Sequence, residues 1–441
     1  MNERTKHCYL NSSAIGAEAN KGFNPKQEID MKLTRRQILR NSLAAAPTLL
    51  LARSKTGYTH AEIDELVKTG KGLNGLTKAD LITPCLLLDL DLLEANIAKM
   101  AAHARAAKLN LRPHGKTHKC PEIAQRQLKA GAVGLCVATI REAEAMATAG
   151  IKGLLITSEL VGKPKIERLL RLTRRAPDTL SAVDNILHAQ QLSEAATAAK
   201  LKLNVMLDID PAGRRTGVPA GERAIKLAEQ IVKLPGLNLR GIHGYSGSSA
   251  HVAGFADRRA HSTRVMTPVL DTYRQLRQIG LPLEIMSGGS TGTYNIDPEL
   301  GGMTELQVGS YVFMDAEYRA IGGQAGAVYE DFAPSLTVLA TVISKSYDDR
   351  ATTDAGIKAF ASDKPKNPPE IKGVIGVTVG FGGDEHGILS FNNPSREFRL
   401  GDRVEFIVPH CDPNVNLYDR LYCVRGEKVV EVWRTVGRYG D

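Results

Sequence analysis

The sequence predicts an α/β protein: a (β/α)8 barrel followed by a mainly β domain. Three observations lead there. From Thr83 onward, short apolar runs alternate with longer amphipathic ones. Once the first run, Cys85–Asp89, is set aside, eight strand-and-helix units remain. After about residue 330 the helical pattern gives way to strands separated by turn residues.

The apolar runs of the first part are Leu109–Arg112, Val133–Ala138, Gly153–Thr157, Leu180–Asp184, Leu203–Ile209, Leu237–His243, Leu283–Ser287 and Leu306–Val312. Between them lie helical patterns such as Leu92–Ala107, where Leu93, Ile97, Met100 and Ala104 recur at steps of three and four. Alternating strand and helix call for a parallel sheet with crossover helices, and eight units is the number that closes a barrel. An open doubly wound sheet has the same periodicity. The barrel is expected over residues 80–330 and the β domain over 331–441, with the first strand, 83–90, free to join the latter. In the β domain, Ser335–Ser344, Gly373–Val379, Gly387–Phe391, Arg403–Pro409, Arg420–Arg425 and Lys428–Trp433 read as strands. Tyr347–Glu370, rich in Lys, Asp and Pro, reads as a long excursion between strands.

A chain of 441 residues exceeds one ordinary domain, which agrees with the two-part texture. The formal net charge of +9 raises the question of an acidic partner. The excess is spread out, and its tightest clusters are Arg171–Arg175 and Arg258–Arg259. With no long basic block or aromatic-interleaved stripe, nucleic acid is not an expected partner. The six cysteines form no CxxC pair and imply no disulfide framework.

Residues 1–55 read as a disordered polar start followed by an address. Met31-Lys32-Leu33-Thr34-Arg35-Arg36 precedes an apolar stretch from Ser42 to Ala52, the pattern of a twin-arginine export signal. That stretch is too short to span a bilayer, so no stable membrane span is expected. The periplasm, reached by that route in the folded state, is the expected location, or the cytoplasm if the signal is not used. The small-x-small cleavage site is not clean, which leaves uncleaved anchoring open, and Met31 is a candidate start.

Barrel chemistry sits at the C-terminal ends of strands. The first barrel strand runs into Pro113-His114-Gly115-Lys116-Thr117-His118-Lys119, which sets Lys116 at such an end. A lone lysine there would be an ordinary solvated turn; two further features change its weight. Ser287-Gly288-Gly289-Ser290-Thr291-Gly292-Thr293 follows a strand and offers backbone N–H groups and hydroxyls to a phosphate. His410-Cys411-Asp412 closes a C-terminal strand, and in an extended segment residues i and i+2 point the same way. Imidazole plus carboxylate suits a divalent metal, although such a pair alone is more often a hydrogen bond.

Taken together these motifs resemble the D-threonine aldolase and D-serine dehydratase family, the metal-assisted branch of the pyridoxal-phosphate enzymes related to alanine racemase. The resemblance runs from about residue 80 to the C-terminus. It includes Thr83-Pro84, Arg112–Lys119, Arg215-Thr216-Gly217-Val218, Gly244–Ser248 with His251, Glu305–Tyr311, Asp384–Gly387 and His410–Asp419. The resemblance implies a barrel of the alanine racemase type, pyridoxal 5'-phosphate on Lys116, and a divalent metal (Mn, Mg or Zn) on His410 and Asp412. It implies a phosphate cradle at Gly288–Gly292, with Ser287 and Tyr311 in the cofactor-binding set, Tyr245 lining the site and Arg215 near the ring. His251 would assist proton transfer on the substrate hydroxyl, and a homodimer with shared sites is expected.

The implied reaction is retro-aldol cleavage of a β-hydroxy D-amino acid, D-threonine or 3-hydroxyaspartate, to glycine and an aldehyde. The alternatives are a D-serine dehydratase, or a non-catalytic cofactor-binding protein like the barrel-only relatives. Aldolases of the group tend to carry His-x-Asp at the metal and dehydratases His-x-Cys; here Cys411 stands in the middle, its side chain expected to point away. Ser246 departs from the histidine of D-threonine aldolases. His114, His118 and His386 are expected in supporting roles, the last two within reach of the site. His7, His60, His103, His188 and His261 are assigned to the tail or to helix faces, and Trp433 to packing.

Overall fold

The computed structural model describes residues 56–439 except 70–72, 74 and 365. The polar start and the twin-arginine pattern therefore lie outside the described residues.

Strand β1 (Cys85–Asp89) leads into a helix, Leu90–Ala106, through Asp89, whose carboxylate accepts the Leu92 N–H at 3.1 Å. Leu90, Leu93, Ile97, Met100 and Ala104 form the buried stripe of this helix. The barrel strands follow: β2 (Asn110–Leu111), β3 (Leu135–Val137), β4 (Leu154–Ile156), β5 (Leu180–Val183) and β6 (Leu203–Asp210). After the short β7 (Val218–Pro219), which pairs with β6, come β8 (Leu237–Gly244), β9 (Ile285–Gly288) and β10 (Glu305–Leu306). The order β2-β10-β9-β8-β6-β5-β4-β3 is parallel throughout. The ring closes just past β2, where Val133 N donates to Leu111 O (2.8 Å), Cys136 N to Pro113 O (2.8 Å) and Gly115 N to Cys136 O (2.7 Å). Eight strands thus curl onto themselves, and the open doubly wound alternative falls away.

A buried ion pair fills the lower end of the barrel. Arg112 meets Glu305 through Nε at 2.8 Å and Nη2 at 3.0 Å, and Nη1 donates to Gly153 O. Gly134 and Gly153 make room for it, since an added Cβ would stand 2.5 and 3.2 Å from Nη1. The run expected as strand over Leu306–Val312 ends early, because Ser310–Val312 turns into a 3-10 helix.

The remaining strands are β11 (Leu336–Tyr347), β12 (Arg350–Thr353), β13 (Glu370–Ile371), β14 (Val377–Phe381), β15 (Gly387–Phe391), β16 (Arg403–Ile407), β17 (Arg420–Arg425) and β18 (Lys428–Arg434). Their sheet runs β14-β15-β12-β11-β1-β17-β18, with β16 also on β11. Strand β1 lies here, antiparallel to β11 and parallel to β17. The excursion expected over Tyr347–Glu370 hides a strand: Arg350–Thr353 pairs with β11 and β15 because its alternating Ala351 and Thr353 are buried between them. His410–Asp412 is not extended. Strand β16 stops at Ile407, and His410 caps a short helix, Cys411–Leu417, whose Pro413 and first-turn Asp412 suit a helix start.

Candidate active site

The segment after β2 is held rigidly enough to aim a lysine. Gly115 packs where a Cβ would stand 2.6 Å from Leu135 Cδ2, so no other residue fits without displacement. His114 uses both ring nitrogens: Nε2 meets Thr157 Oγ1 at 3.1 Å and Nδ1 accepts from Lys116 N at 3.4 Å. Burial, with Lys116 beside it, holds the His114 imidazole well below its ordinary pKa, so it is neutral.

Lys116 projects into a cavity at the C-terminal mouth of the barrel, half-buried, with Nζ 3.6 Å from Asp412 Oδ2. Burial opposes the ammonium most strongly, yet Asp412 and Tyr245 together leave the lysine pKa raised. The carboxylate is stabilised in return: burial would raise its pKa, but Lys116 and His410 bring it down. The Tyr245 ring stands between two cations, Lys116 Nζ at 5.8 Å and Arg215 at 5.2 Å from its centroid.

The cavity has two lobes that share His114, Lys116, Tyr245 and Gln307 as walls. The larger, about 240 Å³, extends toward Thr157, Glu159, Arg215 and His243. The smaller, about 50 Å³, extends toward Ser290, Thr291, Gly309, Ser310, His251 and Asp412. His410 and Tyr318 also line this second lobe. One cavity therefore gathers Lys116, Arg215, Tyr245, His251, Ser290, Thr291, His410 and Asp412.

Other residues expected in the cofactor set stand behind the wall. Gly288 and Gly292 carry no side chain because a Cβ would sit 2.3 Å from Gly244 O and 2.0 Å from Ala250 O. Gly289 takes φ +77°, a left-handed backbone that glycine tolerates. Ser287 Oγ accepts from the cavity residue Gln307 (2.8 Å). Tyr311 is buried, its hydroxyl accepting from Gln127 Nε2 at 3.0 Å and its N–H donating to Thr291 Oγ1 at 3.0 Å. It braces the turn and does not line the cavity.

His410 and Asp412 face the cavity from a helix start. His410 Nδ1 donates to Asp363 Oδ2 at 2.7 Å, which leaves the lone pair of Nε2 free. Cys411 is fully buried, its N–H donating to Asp315 at 2.9 Å and its Sγ 3.6 Å from Asp412 Oδ1. No group of three or more His, Cys, Asp or Glu side chains placed to hold a metal ion occurs among the described residues.

His251 ends a four-residue helix, Gly247–Ala250, capped by Ser246. Ser246 Oγ bonds Ser249 Oγ at 2.6 Å, and Ser249 Oγ meets His261 Nδ1 at 3.0 Å. The departure at Ser246 is thus absorbed in the helix that delivers His251. His251 packs 4.6 Å from the Tyr318 ring, with Nδ1 3.5 Å from Glu317 Oε1. Burial lowers its pKa despite that carboxylate.

Several groups at the cavity carry no motif of their own. Gln307, Gly309 and Ser310 lie in the quoted Glu305–Tyr311 stretch, but nothing in spacing singles them out. His243 pairs with Asp208 at 2.6 Å beneath the larger lobe; burial opposes its charge, and Asp208 still raises its pKa. Burial and Asp208 push Glu159 up to about 7. His386 is exposed on the turn between β14 and β15 and does not line the cavity. His118 is buried beside it, Nδ1 accepting the Cys120 N–H at 3.1 Å.

Burial holds the His118 imidazole down to about 4. A free histidine titrates near 6.5, so the unfolded chain takes up the proton first as pH falls. The stabilisation is complete above about 6.5 and disappears by about 4, a loss of roughly 3 kcal/mol. Denaturant titrations at pH 7.5 and 4.5 should find that difference in the wild type and a smaller one in His118→Gln. Equal losses would remove His118 as the cause.

Fold and site together define a barrel enzyme of the alanine racemase type, extended by a β domain that brings its own polar groups to the barrel mouth. The chain belongs to the D-threonine aldolase and D-serine dehydratase family. The family model described as alanine racemase, N-terminal domain, matches residues 88–317, and that described as putative serine dehydratase domain matches 335–424. A D-threonine aldolase from Arthrobacter sp is 38% identical over 81% of this chain and 92% of its own length. A 3-hydroxy-D-aspartate aldolase from Paracoccus denitrificans is 35% identical over 83% and 94%. Among solved structures, D-threonine aldolase from Filomicrobium marinum superposes with a TM-score of 0.78 at 38% identity, covering 82% of this chain and 97% of that one.

Proposed function

We propose that this chain is a pyridoxal-phosphate- and divalent-metal-dependent lyase that cleaves a β-hydroxy D-amino acid, of the D-threonine or 3-hydroxyaspartate type, to glycine and an aldehyde. One observation carries the reading: Lys116, His251, His410 and Asp412 face a single cavity whose floor turn carries the Ser290 and Thr291 hydroxyls.

The residues fit the two groups this requires. A primary amine stands at one side, an aromatic wall and Arg215 beside it, and the hydroxyls with a 3-10 turn at Thr291–Thr293 are groups that suit a phosphate. An imidazole oriented by a carboxylate, with Asp412 at the next helical position but one, is a donor set for Mn, Mg or Zn. When bound, the cofactor ring draws electrons from the substrate's Cα while the metal polarises its β-hydroxyl. Lys116 would hold the cofactor at its aldehyde carbon, and Ser290, Thr291 and Ser310 its phosphate. His251, neutral at pH 7 because its pKa is lowered, can take the β-hydroxyl proton that retro-aldol cleavage must release. Glu317, 3.5 Å from Nδ1, then steadies the imidazolium.

Dehydration would instead ask Lys116 to remove the α-proton. The buried Cys411 thiol, raised well above its ordinary pKa by burial, is a poor ligand beside Asp412, which favours the aldolase. Twin-arginine export to the periplasm and a homodimer belong to the same proposal, supported by Arg35-Arg36 and the alanine racemase-type barrel. The test is incubation with D-threonine, D-serine and 3-hydroxyaspartate plus Mn²⁺. Glycine with an aldehyde is the expected product; a keto acid with ammonia would mean a dehydratase, and no turnover would leave only a cofactor-binding protein.

A further inference from the structure

Arg258 is 0% exposed and sits in a helix, Phe255–Gln278, away from the cavity lining. Its guanidinium forms no ion pair with a carboxylate among the described residues. Four carbonyl oxygens receive it instead: Nε donates to Gly292 O at 2.8 Å, Nη1 to Val252 O at 2.8 Å and Ile321 O at 3.2 Å, and Nη2 to Gly322 O at 2.8 Å. The Phe255 and Tyr329 rings lie 5.8 and 5.7 Å from it, and a buried cation held by carbonyls and ring faces without a paired carboxylate is unusual, since removal from water costs several kcal/mol unless a countercharge compensates.

The four acceptors belong to three segments that meet at the site. Gly292 lies in the Ser290–Thr293 turn, Val252 follows His251, and Ile321 and Gly322 follow Glu317 and Tyr318. Gly292 also packs on the His251 segment, with room for no Cβ beside Ala250 O. Tyr329 Oη donates to the neighbouring Thr291 O at 2.6 Å, so both inner carbonyls of the turn are drawn toward buried donors. The first amides of a helical turn have no partner within it. Ser290 N donates to Thr293 Oγ1 (3.2 Å) and Thr293 N to Ser290 O (3.2 Å), so with the carbonyls pulled one way it is the Thr291 and Gly292 N–H groups that are left to an anion on the other side.

We infer that Arg258 is the positioning residue of the phosphate turn: it aims the turn's amides, keeps the turn in register with His251, and supplies the positive potential that a phosphate dianion offsets. The inference rests on the cofactor reading above. It differs from general structural support in one respect, because it concerns the phosphate and not the rest of the cofactor.

The test compares apoprotein binding of pyridoxal phosphate and of pyridoxal, which lacks the phosphate, by fluorescence titration. Wild type should prefer pyridoxal phosphate strongly. Arg258→Met should weaken pyridoxal phosphate by roughly 10- to 100-fold, the range of a charge-assisted contact, while pyridoxal changes by less than about threefold. Arg258→Lys keeps the charge but not the fork, and should recover part of the preference. If Arg258→Met does not fold, Arg258→Lys decides alone, with a preference reduced but present. Equal weakening of both ligands, or an unchanged preference in the folded variant, overturns the inference. A wild type that binds neither ligand overturns the cofactor reading instead.

Discussion

Lys116→Ala should lower kcat/KM by at least about 10³-fold, and Lys116→Arg should be as inactive. The pair separates chemistry from charge. Arginine keeps a cation within reach of Asp412, now 3.6 Å from the lysine nitrogen, so the local electrostatics survive. It loses the nucleophilic amine, because a guanidinium does not deprotonate in a protein. If Lys116 served only to neutralise Asp412, the arginine variant would retain most of the activity. Borohydride reduction of the holoenzyme followed by peptide mapping gives the second measurement, with the label expected on the peptide that contains residue 116. A label elsewhere, or an arginine variant with more than about a tenth of wild-type turnover, would refute the assignment.

The raised pKa of Lys116 is no obstacle, although a nucleophilic amine must be uncharged. The cause shows why. Burial, with Arg215 beside it, pushes the lysine down, and it is chiefly the Asp412 carboxylate, with Tyr245, that brings it back up. Whatever engages Asp412 removes that support. A divalent cation on Asp412 and His410 would therefore leave burial as the larger influence and favour the neutral amine, which couples the two halves of the site.

How far this site could be read from residues alone depends on the kind of signal each residue gives. Period and chain order carried the barrel, because buried parallel strands must be short apolar runs and their crossover helices must be amphipathic. The ring closure between β2 and β3 left no such mark; it rests on Pro113, Gly115 and Cys136 backbone groups that any sequence could supply. His410–Asp412 shows the opposite case. An extended segment and a helix start both let two side chains meet a common point, so His410 and Asp412 face one cavity although the local geometry is not the extended one expected. Pro413 was the available clue, since proline is favoured in the first helical turn. Strand Arg350–Thr353 was missed because charge and proline density nearby outweighed four alternating residues.

Supporting residues were the least legible. Asp363, Glu317 and Arg258 are ordinary charged residues in sequence, far from the motifs they serve. Asp363 reaches His410 across 47 positions, and Arg258 reaches Gly322 across 64. Only folding makes them neighbours. The glycine loop shows the same limit at short range: Ser290 and Thr291 face the cavity, while Gly288 and Gly292 are required by carbonyls of Gly244 and Ala250 behind them. The motif's members divide between contact with the cavity and clearance behind it.

Removal of the metal gives the other large effect. Chelation should reduce kcat/KM by about 10³-fold, the scale of several kcal/mol of Lewis-acid stabilisation, and added Mn²⁺ should restore it. His410→Ala should show the same loss without recovery, and bound metal measured by elemental analysis should fall from about one per chain to near zero. Cofactor absorbance should persist in that variant, because Lys116 and the Ser290–Thr293 turn are untouched. Asp363→Asn is the more searching variant. It retains a side chain able to meet His410 Nδ1 at the 2.7 Å position but removes the charge that raises the basicity of Nε2. Metal affinity should drop roughly 10- to 100-fold, with activity recovered at high Mn²⁺. If His410→Ala keeps its metal, the ion lies elsewhere and His410 is a hydrogen-bonding residue only. If it loses the metal yet retains activity, the β-hydroxyl needs no Lewis acid, and His251 with Glu317 must account for its deprotonation unaided.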